Sequence, residues 1–325
     1  MDLLDAFSTL RVAVVGDLIA DEFIYGRVSR VSREAPVLIL QYGSTEILPG
    51  GAGNAASNIA ALGGRAHLVA FVGKDEAGKR LRGGLRHVDT KGLLRPSGYC
   101  TPVKTRILAG GVHTTKQQIV RIDRVVSADY DAKSRAALAR AALDAASECD
   151  AILMSDYGTG LVTPELAAAL AKKVAADRRR VPILIDSRYD LLRYRGLTAS
   201  TPNESEVEQV LGVKIGDDLR VLEGAGRALL KRTRMSAVLI TRGSRGMALF
   251  EAGQPAIHLP IYGSDEVADV TGAGDTVIAT VTLAIAAGAT FHEAARLANY
   301  AGGLVVMKRG TATVSRDELR AVMGS

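Results

Sequence analysis

Short apolar runs alternate with longer segments of helical periodicity along most of this 325-residue chain. Such runs are typical of strands buried on both faces of a parallel sheet, and apolar positions recurring every three or four residues are typical of the helices that connect them. This order favours an α/β fold in which a doubly wound, mainly parallel sheet has helices on both faces. Strands are predicted at 11–16, 66–72, 151–154, 182–186 and 237–241, and helices at 76–87, 131–147, 219–233 and 291–308.

Two pairs of segments depart from this order. Residues 22–28 and 36–42 precede any predicted helix, and residues 102–109 and 117–123 form a second pair. Their alternation of apolar and polar residues is typical of strands with one solvated face. We therefore expect a single domain over residues 1–325 that carries a small β-sheet lid, formed from about 18–48 and 100–125.

The amino-acid composition limits which kinds of molecule the protein is expected to bind. The chain is 47% apolar and has a net charge of +6 that is spread along its length, which suits small anionic substrates better than a nucleic acid. The apolar run after Asp275 is too short to span a bilayer, so no membrane contact is expected. Two distant cysteines, Cys100 and Cys149, and an N-terminus without a signal-peptide pattern predict a cytoplasmic protein.

The segment from Asp269 to Asp275 carries the most distinctive chemistry. Two glycines, Gly272 and Gly274, flank Ala273 immediately before a long apolar helix, so backbone N–H groups and the helix dipole can bind an anion. An acid in that first turn suits a general base that accepts a proton from a hydroxyl attacking a bound phosphate. The alternative is a glycine loop in which Asp275 merely caps the helix.

Two other glycine segments resemble nucleotide-binding loops less closely. Residues 51–56 match a dinucleotide fingerprint but follow Leu48-Pro49 and not a buried strand. Residues 73–80 match a P-loop except that Arg80 replaces the Ser or Thr that holds magnesium. Neither segment is expected to bind a nucleotide.

Polar residues follow several predicted strands. Acids at carboxyl ends of parallel strands lie where such sheets bind ligands, and they suit the hydroxyls of a sugar. Asn203 and Glu206 could bind magnesium indirectly. Alternatively, Asn203 is the N-cap of a helix and Glu206 completes a capping box. Lys104, Arg106 and Lys116 on the lid are either anion ligands or exposed strand charges. The acids are Asp17, Asp21, Asp156 and Asp186.

The motifs at 50–54 and 269–275, in this order and at this separation, resemble those of the ribokinase-like (phosphofructokinase B) family of carbohydrate kinases. The resemblance implies a ribokinase-like fold, ATP and Mg²⁺ as cofactors, a homodimer through the lid strands and Asp275 as the catalytic base. It also implies an anion hole formed by the N–H groups of Gly272, Ala273 and Gly274, and magnesium bound indirectly, through water, by Glu206. The nucleotide-binding residues that it implies are Asn203, Glu206, Thr241, Arg242, Gly243, Gly246, Asn299 and Gly302.

Residues 29–37, 155–160, 201–206 and 310–315 resemble, within that family, the kinases that act on D-glycero-D-manno-heptose 7-phosphate. This implies phosphorylation of the anomeric O1 to the 1,7-bisphosphate, a step toward ADP-heptose for the lipopolysaccharide inner core, by a stand-alone kinase. One departure is Ser187-Arg188, where the subgroup tends to have Pro-Lys. The substrate-binding residues expected are Asp17, Asp21, Gly51, Asn54, Lys104, Arg106, Lys116, Asp156 and Arg188.

Two other functions remain open from the sequence. One is a kinase of the same fold that acts on an unphosphorylated sugar such as ribose or fructose, although the lid cations suit a second anion better. The other is a non-catalytic sugar-binding protein, which would have no use for a base beside an anion hole.

Overall fold

A computed structural model of the chain describes residues 3–110, 116–125, 130–177, 180–263 and 269–323. Nine of its strands form one large sheet, in the order β13-β12-β11-β10-β9-β8-β1-β4-β5. Neighbouring strands are parallel, except that β12 pairs antiparallel with both β11 and β13 at one edge. These strands are β1 (Arg11–Gly16), β4 (Arg65–Phe71), β5 (Leu93–Leu94), β8 (Ala151–Asp156), β9 (Ile183–Ser187), β10 (Ala199–Ser200), β11 (Ala237–Thr241), β12 (Met247–Glu251) and β13 (Ile257–Leu259).

Helices cover both faces of this sheet. Along β1, Val12 and Val14 pack into one apolar layer, while Ala13 and Val15 pack into the other, as the alternation of side chains in a strand requires. The predicted α/β fold with two helical layers is therefore confirmed. The helices are α1 (Leu3–Ala6), α2 (Ala52–Ala61), α3 (Glu76–Gly84), α4 (Ala132–Glu148), α5 (Pro164–Ala176), α6 (Glu204–Leu211), α7 (Leu219–Thr233), α8 (Ala273–Ala286), α9 (Phe291–Val305) and α10 (Arg316–Met323).

The direction in which strands are added to the sheet reverses at β1. The chain passes from β1 to β4 on one side, and later strands, beginning with β8, are added on the other side. In open α/β sheets, ligands bind outside the carboxyl ends of the strands at such a switch point. Asp17 follows β1 directly, and the ends of β8 and β9 lie alongside.

A second, four-stranded sheet forms the expected lid, in the order β3-β2-β6-β7. Its base is joined to the large sheet, because β2 begins one residue after Asp17 and its first residue, Leu18, pairs with Gly51 at the end of β3. The first strand extends beyond the predicted segment 22–28 at both ends, and the second begins two residues later than the predicted segment 36–42 but continues to Gly51. The lid strands are β2 (Leu18–Val31), β3 (Leu38–Gly51), β6 (Val103–Gly110) and β7 (Gln117–Arg124).

Two predicted helices end earlier than their patterns indicated. The helix predicted at 76–87 ends at Gly84, after a pair of glycines that are unfavourable in a helix. The helix predicted at 291–308 ends at Val305. The short helix Arg316–Met323 was not predicted. Within the described ranges, no helix is both long and apolar enough to cross a membrane.

Candidate active site

The loop before α8 turns sharply and is held by Asp269. Gly272 has φ 79° and is the N-cap of the helix, so the backbone lies in the left-handed region that favours glycine. The carboxylate of Asp269 accepts hydrogen bonds from the N–H groups of Thr271 at 2.9 Å and Gly310 at 3.0 Å. These bonds fix the loop against the segment that follows α9.

The three predicted anion-hole residues differ in their backbone bonds. The N–H group of Ala273 donates to the carbonyl of Val270 at 3.2 Å and closes the turn. The N–H groups of Gly272 and Gly274 have no acceptor in the part of the chain that the structure describes. With the helix dipole behind them, these two groups are the ones available to an anion.

Asp275 stands in the first turn of α8 and is 3% exposed. Asn54 Nδ2 donates to its Oδ2 at 2.9 Å, and the hydroxyl of Tyr157 donates to its Oδ1 at 2.9 Å. Burial raises the pKa of Asp275 to about 7, against the lowering effect of these two hydrogen bonds. A carboxylate with a pKa near neutrality suits a general base at physiological pH.

Asn54 belongs to a hydrogen-bonded network that joins α2 to α8. Its Nδ2 also donates to the carbonyl of Gly272 at 3.3 Å, and its Oδ1 accepts from Asn58 Nδ2 at 3.1 Å. Asn58 Oδ1 in turn accepts from the hydroxyl of Thr276 at 3.0 Å. The structure therefore places Asn54, which the sequence analysis gave to the sugar, directly against Asp275.

Asp17 ties the end of β1 to the loop after β8. Its Oδ2 accepts from the N–H of Tyr157 at 2.7 Å, and its Oδ1 accepts from the hydroxyl of Thr159. Burial, reinforced by the charge of Asp156, raises the pKa of Asp17 to about 6. Gly51 lies against it, because a Cβ on Gly51 would overlap the carbonyl oxygen of Asp17.

Asp156 is buried and hydrogen-bonded within the protein. It accepts from the N–H of Gly158 at 3.0 Å and from the hydroxyls of Ser187 and Tyr194, both at 2.8 Å. These three donors occupy both carboxylate oxygens. Asp156 therefore holds the loops after β8 and β9 in place.

The base of the lid brings basic side chains over the ends of β8 and β9. Arg106 forms a buried ion pair with Asp21. Lys104 Nζ lies 4.5 Å from the centre of the Tyr157 ring, and Arg188 Cζ lies 5.9 Å from the same centre. Burial and the nearby charge of Arg188 lower the pKa of Lys104. Two cations with one aromatic side chain between lid and sheet are suited to a doubly charged anion.

Lys116 lies apart from this group. It precedes Gln117, which pairs with Ala109 near the far end of β6, and its Nζ lies 4.9 Å from the ring centre of Tyr25. The register places Arg121, which the sequence analysis did not select, beside Arg106. The guanidinium of Arg121 makes two hydrogen bonds of 2.7 Å to Asp123.

Two acids, Asp186 near the end of β9 and Glu206 in α6, lie near each other. Burial raises the pKa of Asp186 well above its usual range, and the charges of Glu206 and Asp275 raise it further. The pKa of Glu206 is raised by burial as well. No hydrogen bond or ion pair to the Asp186 carboxylate is found among the described residues. The carboxylate oxygens of Asp186 and Glu206 are of the type that a hard divalent cation such as Mg²⁺ prefers as ligands.

The capping-box interpretation of residues 203–206 is confirmed. Asn203 Oδ1 accepts from the N–H of Glu206 at 2.9 Å, and Glu206 Oε2 accepts from the N–H of Asn203 at 2.9 Å. The box fixes the start of α6 and holds Glu206 near Asp186. A structural role and a role near a cation are therefore compatible for Glu206.

A cavity of about 580 Å³ lies beside the anion loop. Seven of the eight predicted nucleotide-binding residues line it; Glu206 is the exception. Ala273 and Gly274 also line it, so the cavity opens on the N-terminus of α8. Its apolar wall, which the sequence analysis did not identify, suits a flat aromatic ring. The predicted residues are Asn203, Thr241, Arg242, Gly243, Gly246, Asn299 and Gly302, and the apolar ones include Met247, Ile261, Val277 and Val306.

Two polar side chains of this cavity are bound to the protein. Arg242 forms a buried ion pair with Glu204 at 3.1 Å and donates to the carbonyl of Gly216 at 3.1 Å. Asn299 Nδ2 donates to the carbonyl of Pro260 at 2.7 Å. Both contacts shape the walls of the cavity.

The P-loop-like segment at 73–80 uses its N–H groups internally. Gly73 N–H donates to Thr101 Oγ1 at 3.0 Å, and Gly78 N–H donates to Asp75 Oδ1 at 2.8 Å. Asp75 caps α3 in this way and also accepts from the N–H of Thr101. The segment anchors the start of β6 and leaves these donors unavailable to a phosphate.

Comparisons with known proteins agree with this geometry. The profile of the pfkB family carbohydrate kinases matches residues 9–318. Proteins named bifunctional protein HldE are similar over nearly the whole chain. The protein of Desulfatibacillum aliphaticivorans is 40% identical over 317 residues, which are 97% of this chain and 63% of that protein. The protein of Nitrosococcus oceani is 41% identical over 320 residues, which are 98% of this chain and 64% of that protein. The chain thus spans less than two thirds of these relatives.

Solved structures confirm the ribokinase-like fold. A ribokinase from Arabidopsis thaliana, complexed with ribose and ATP, superimposes with a TM-score of 0.74 at 20% identity and covers 97% of this chain and 99% of its own. Phosphofructokinase-2 from Escherichia coli, in complex with fructose-6-phosphate, gives a TM-score of 0.71 at 17% identity. The superposition covers 97% of this chain and 98% of the phosphofructokinase chain. The match over residues 9–318, together with relatives of about 40% identity, shows that this chain belongs to the pfkB family of carbohydrate kinases.

Proposed function

We propose that the chain phosphorylates the anomeric O1 of D-glycero-D-manno-heptose 7-phosphate with ATP and forms the 1,7-bisphosphate, a step toward ADP-heptose for the lipopolysaccharide inner core. The observation that carries the proposal is the position of Asp275, a buried acid between the nucleotide cavity and two cations, Lys104 of the lid and Arg188 after β9. The heptose-kinase motifs at 29–37 and 310–315 support this substrate over other sugars.

The sugar is oriented by acids at the base of the lid. Asp17 and Asp21 are buried and lie at the beginning of the lid. Each keeps acceptor capacity beyond its internal bonds, because a carboxylate offers about four lone pairs. Ring hydroxyls donate to these oxygens, and the 7-phosphate accepts from Lys104 and Arg188. Arg106 acts mainly on Asp21, whose charge it neutralises.

Phosphoryl transfer then proceeds in line. Asp275 takes the proton of the anomeric hydroxyl as that oxygen attacks the γ-phosphorus, and the bond from the phosphorus to the β-phosphate oxygen breaks to release ADP. The N–H groups of Gly272 and Gly274 donate to the transferring phosphoryl group, whose charge they stabilise without reorganisation. Asn54 and Tyr157 hold Asp275 toward the hydroxyl.

ATP fits the cavity of about 580 Å³, with its base against the apolar wall and its phosphates toward Gly274. Magnesium is part of the proposal, because Asp186 and Glu206 offer oxygen ligands whose mutual repulsion a cation would relieve. Bound there, directly or through water, it would neutralise phosphate charge. The buried carboxylate of Asp186, which has no hydrogen-bond or ion-pair partner among the described residues, is the observation that favours the site.

A homodimer formed through the lid, in the cytoplasm, completes the proposal. On the lid face that points away from Tyr157, Ile24 of β2 pairs with Ile107 of β6, which pairs with Val120 of β7. Val120 and Ile122 are 44% and 49% exposed, so an apolar row crosses three strands at the surface. A second copy of the chain would cover this row.

The test is ADP release with magnesium and ATP, measured against heptose 7-phosphate, unphosphorylated heptose, ribose, fructose and fructose 6-phosphate. We expect turnover with heptose 7-phosphate to exceed that with each other sugar by at least about 100-fold in kcat/KM, because only it engages both the acids and the two cations Lys104 and Arg188. Efficient turnover of ribose or fructose would replace the proposed substrate with a neutral sugar. Absence of turnover with every sugar would favour a sugar-binding protein.

A further inference from the structure

Tyr157 contacts both the base Asp275 and the two cations, and it is not among the substrate-binding residues expected from the sequence. It follows β8, and its N–H donates to Asp17 at 2.7 Å, so its backbone is fixed at the end of the sheet. Its hydroxyl donates to Asp275 Oδ1 at 2.9 Å. Its ring centre lies 4.5 Å from Lys104 Nζ and 5.9 Å from Arg188 Cζ.

The two contacts of the ring come from different parts of the molecule. Lys104 belongs to lid strand β6, whereas Arg188 follows β9 of the large sheet. Neither cation forms a salt bridge with a carboxylate within the described ranges. Nearby acids attract each cation separately, Asp21 and Asp123 acting on Lys104, and Asp186 and Glu206 on Arg188. The ring lies within about 6 Å of both cations and attracts both, so it joins two like charges that repel each other.

We propose that Tyr157 is a positioning residue with two separable tasks. Its hydroxyl holds Asp275 for proton transfer, and its ring holds Lys104 and Arg188 to bind the phosphate that the sugar already carries. The inference rests on the proposed function, because it assigns the two cations to the phosphate of a sugar phosphate. It makes Tyr157 a determinant of preference for phosphorylated over unphosphorylated sugars.

Two substitutions separate the tasks. Tyr157→Phe keeps the ring and removes the hydroxyl, so we expect kcat to fall by about 10-fold while KM for heptose 7-phosphate stays within about twofold. Tyr157→Leu removes both, so we expect the same loss in kcat and, in addition, a rise in KM of about 5-fold. The KM for unphosphorylated heptose should be equal in the two variants, since it has no phosphate for the cations to bind.

Tyr189 provides a matched control. Its ring centre also lies 5.9 Å from Arg188 Cζ, but it is 54% exposed and makes no hydrogen bond to Asp275. Tyr189→Leu should therefore leave kcat and both KM values within about twofold of the wild type.

The experiment measures kcat and KM for both sugars in the wild type and the three variants of the 325-residue chain, with thermal unfolding as a check on folding. Wild-type kcat in Tyr157→Phe would overturn the inference, as would equal KM values for heptose 7-phosphate in the Phe and Leu variants. A wild type that does not use heptose 7-phosphate would overturn the proposed function and this inference with it. An active wild type with the wrong variant pattern would overturn the inference alone.

Discussion

At the scale of single residues, the site depends on acids whose burial works against their ionisation. Asp275 has a pKa of about 7 and Asp17 one of about 6, in both cases chiefly because burial disfavours the charged form. The charge of Asp21 raises the pKa of Asp275 further, whereas Lys104, Asn54 and Tyr157 lower it. The base is thus poised near neutral pH by opposing groups from the lid and from the sheet.

This environment predicts the direction of the pH dependence. A general base works only when deprotonated, and the raised pKa of Asp275 means that it is mostly protonated below pH 7. We expect kcat at saturating substrates to fall as the pH decreases, to about one tenth of its plateau near pH 6. A kcat that stays at its plateau down to pH 5 would contradict this assignment. The residual activity of Asp275→Asn, measured over the same range, serves as the control.

At the scale of elements, the start of α8 is shaped by α2. A Cβ on Gly272 would overlap the side-chain amide of Asn54, which itself holds Asp275. The contact joins residues 218 positions apart, and the Tyr157–Asp275 hydrogen bond spans 118 positions. The local motif at 269–275 was sufficient to predict the loop and its acid.

A pair of glycine variants tests this arrangement. Gly272 and Gly253 both have positive φ values, 79° and 75°, but nothing lies within 4 Å of a Cβ built on Gly253. Each change to Ala should cost about 1–2 kcal/mol of stability from backbone strain. Only Gly272→Ala should also displace Asn54 and reduce kcat, by about 100-fold or more. Equal kcat values in the two variants would remove the steric argument.

The sequence predicted well what depends on local patterns. Strand ends, the capping box at 203–206 and the glycine loop each follow from adjacent residues, and the structure contains all three. It did not reveal that Asn54 and Tyr157 both bind Asp275, because such contacts depend on how α2 and the loop after β8 pack. The lengths of β2 and β3 were underestimated, since the register shifts after Val28 in β2 and at Gly43 in β3 interrupt the alternation that marks a strand.

At the scale of the whole molecule, the lid has two different faces. Residues paired across its strands point to the same side, so Lys104 and Arg106 face the site, while Thr105 and Ile107 face away from it. The inner face carries the charges that contact the sheet. The outer face carries the apolar row that we propose to be a dimer interface.

The dimer can be tested by sedimentation velocity at micromolar concentration. We expect the wild type to sediment as a dimer and the double variant Val120→Arg, Ile122→Arg to sediment as a monomer, because two buried unpaired charges would oppose association. Leu219→Arg is the control, since Leu219 on α7 is 49% exposed but lies outside the lid. A monomeric wild type would refute the proposed interface.

Asp275 is the residue on which the proposed mechanism depends most. For Asp275→Asn, kcat for ADP release with heptose 7-phosphate should fall by about 10² to 10⁴-fold, while the affinity for the sugar phosphate, measured by calorimetry, stays within about threefold of the wild type. That combination would mean that the buried carboxylate serves proton transfer and not binding. A variant that keeps near wild-type kcat would contradict the assignment of Asp275 as the base.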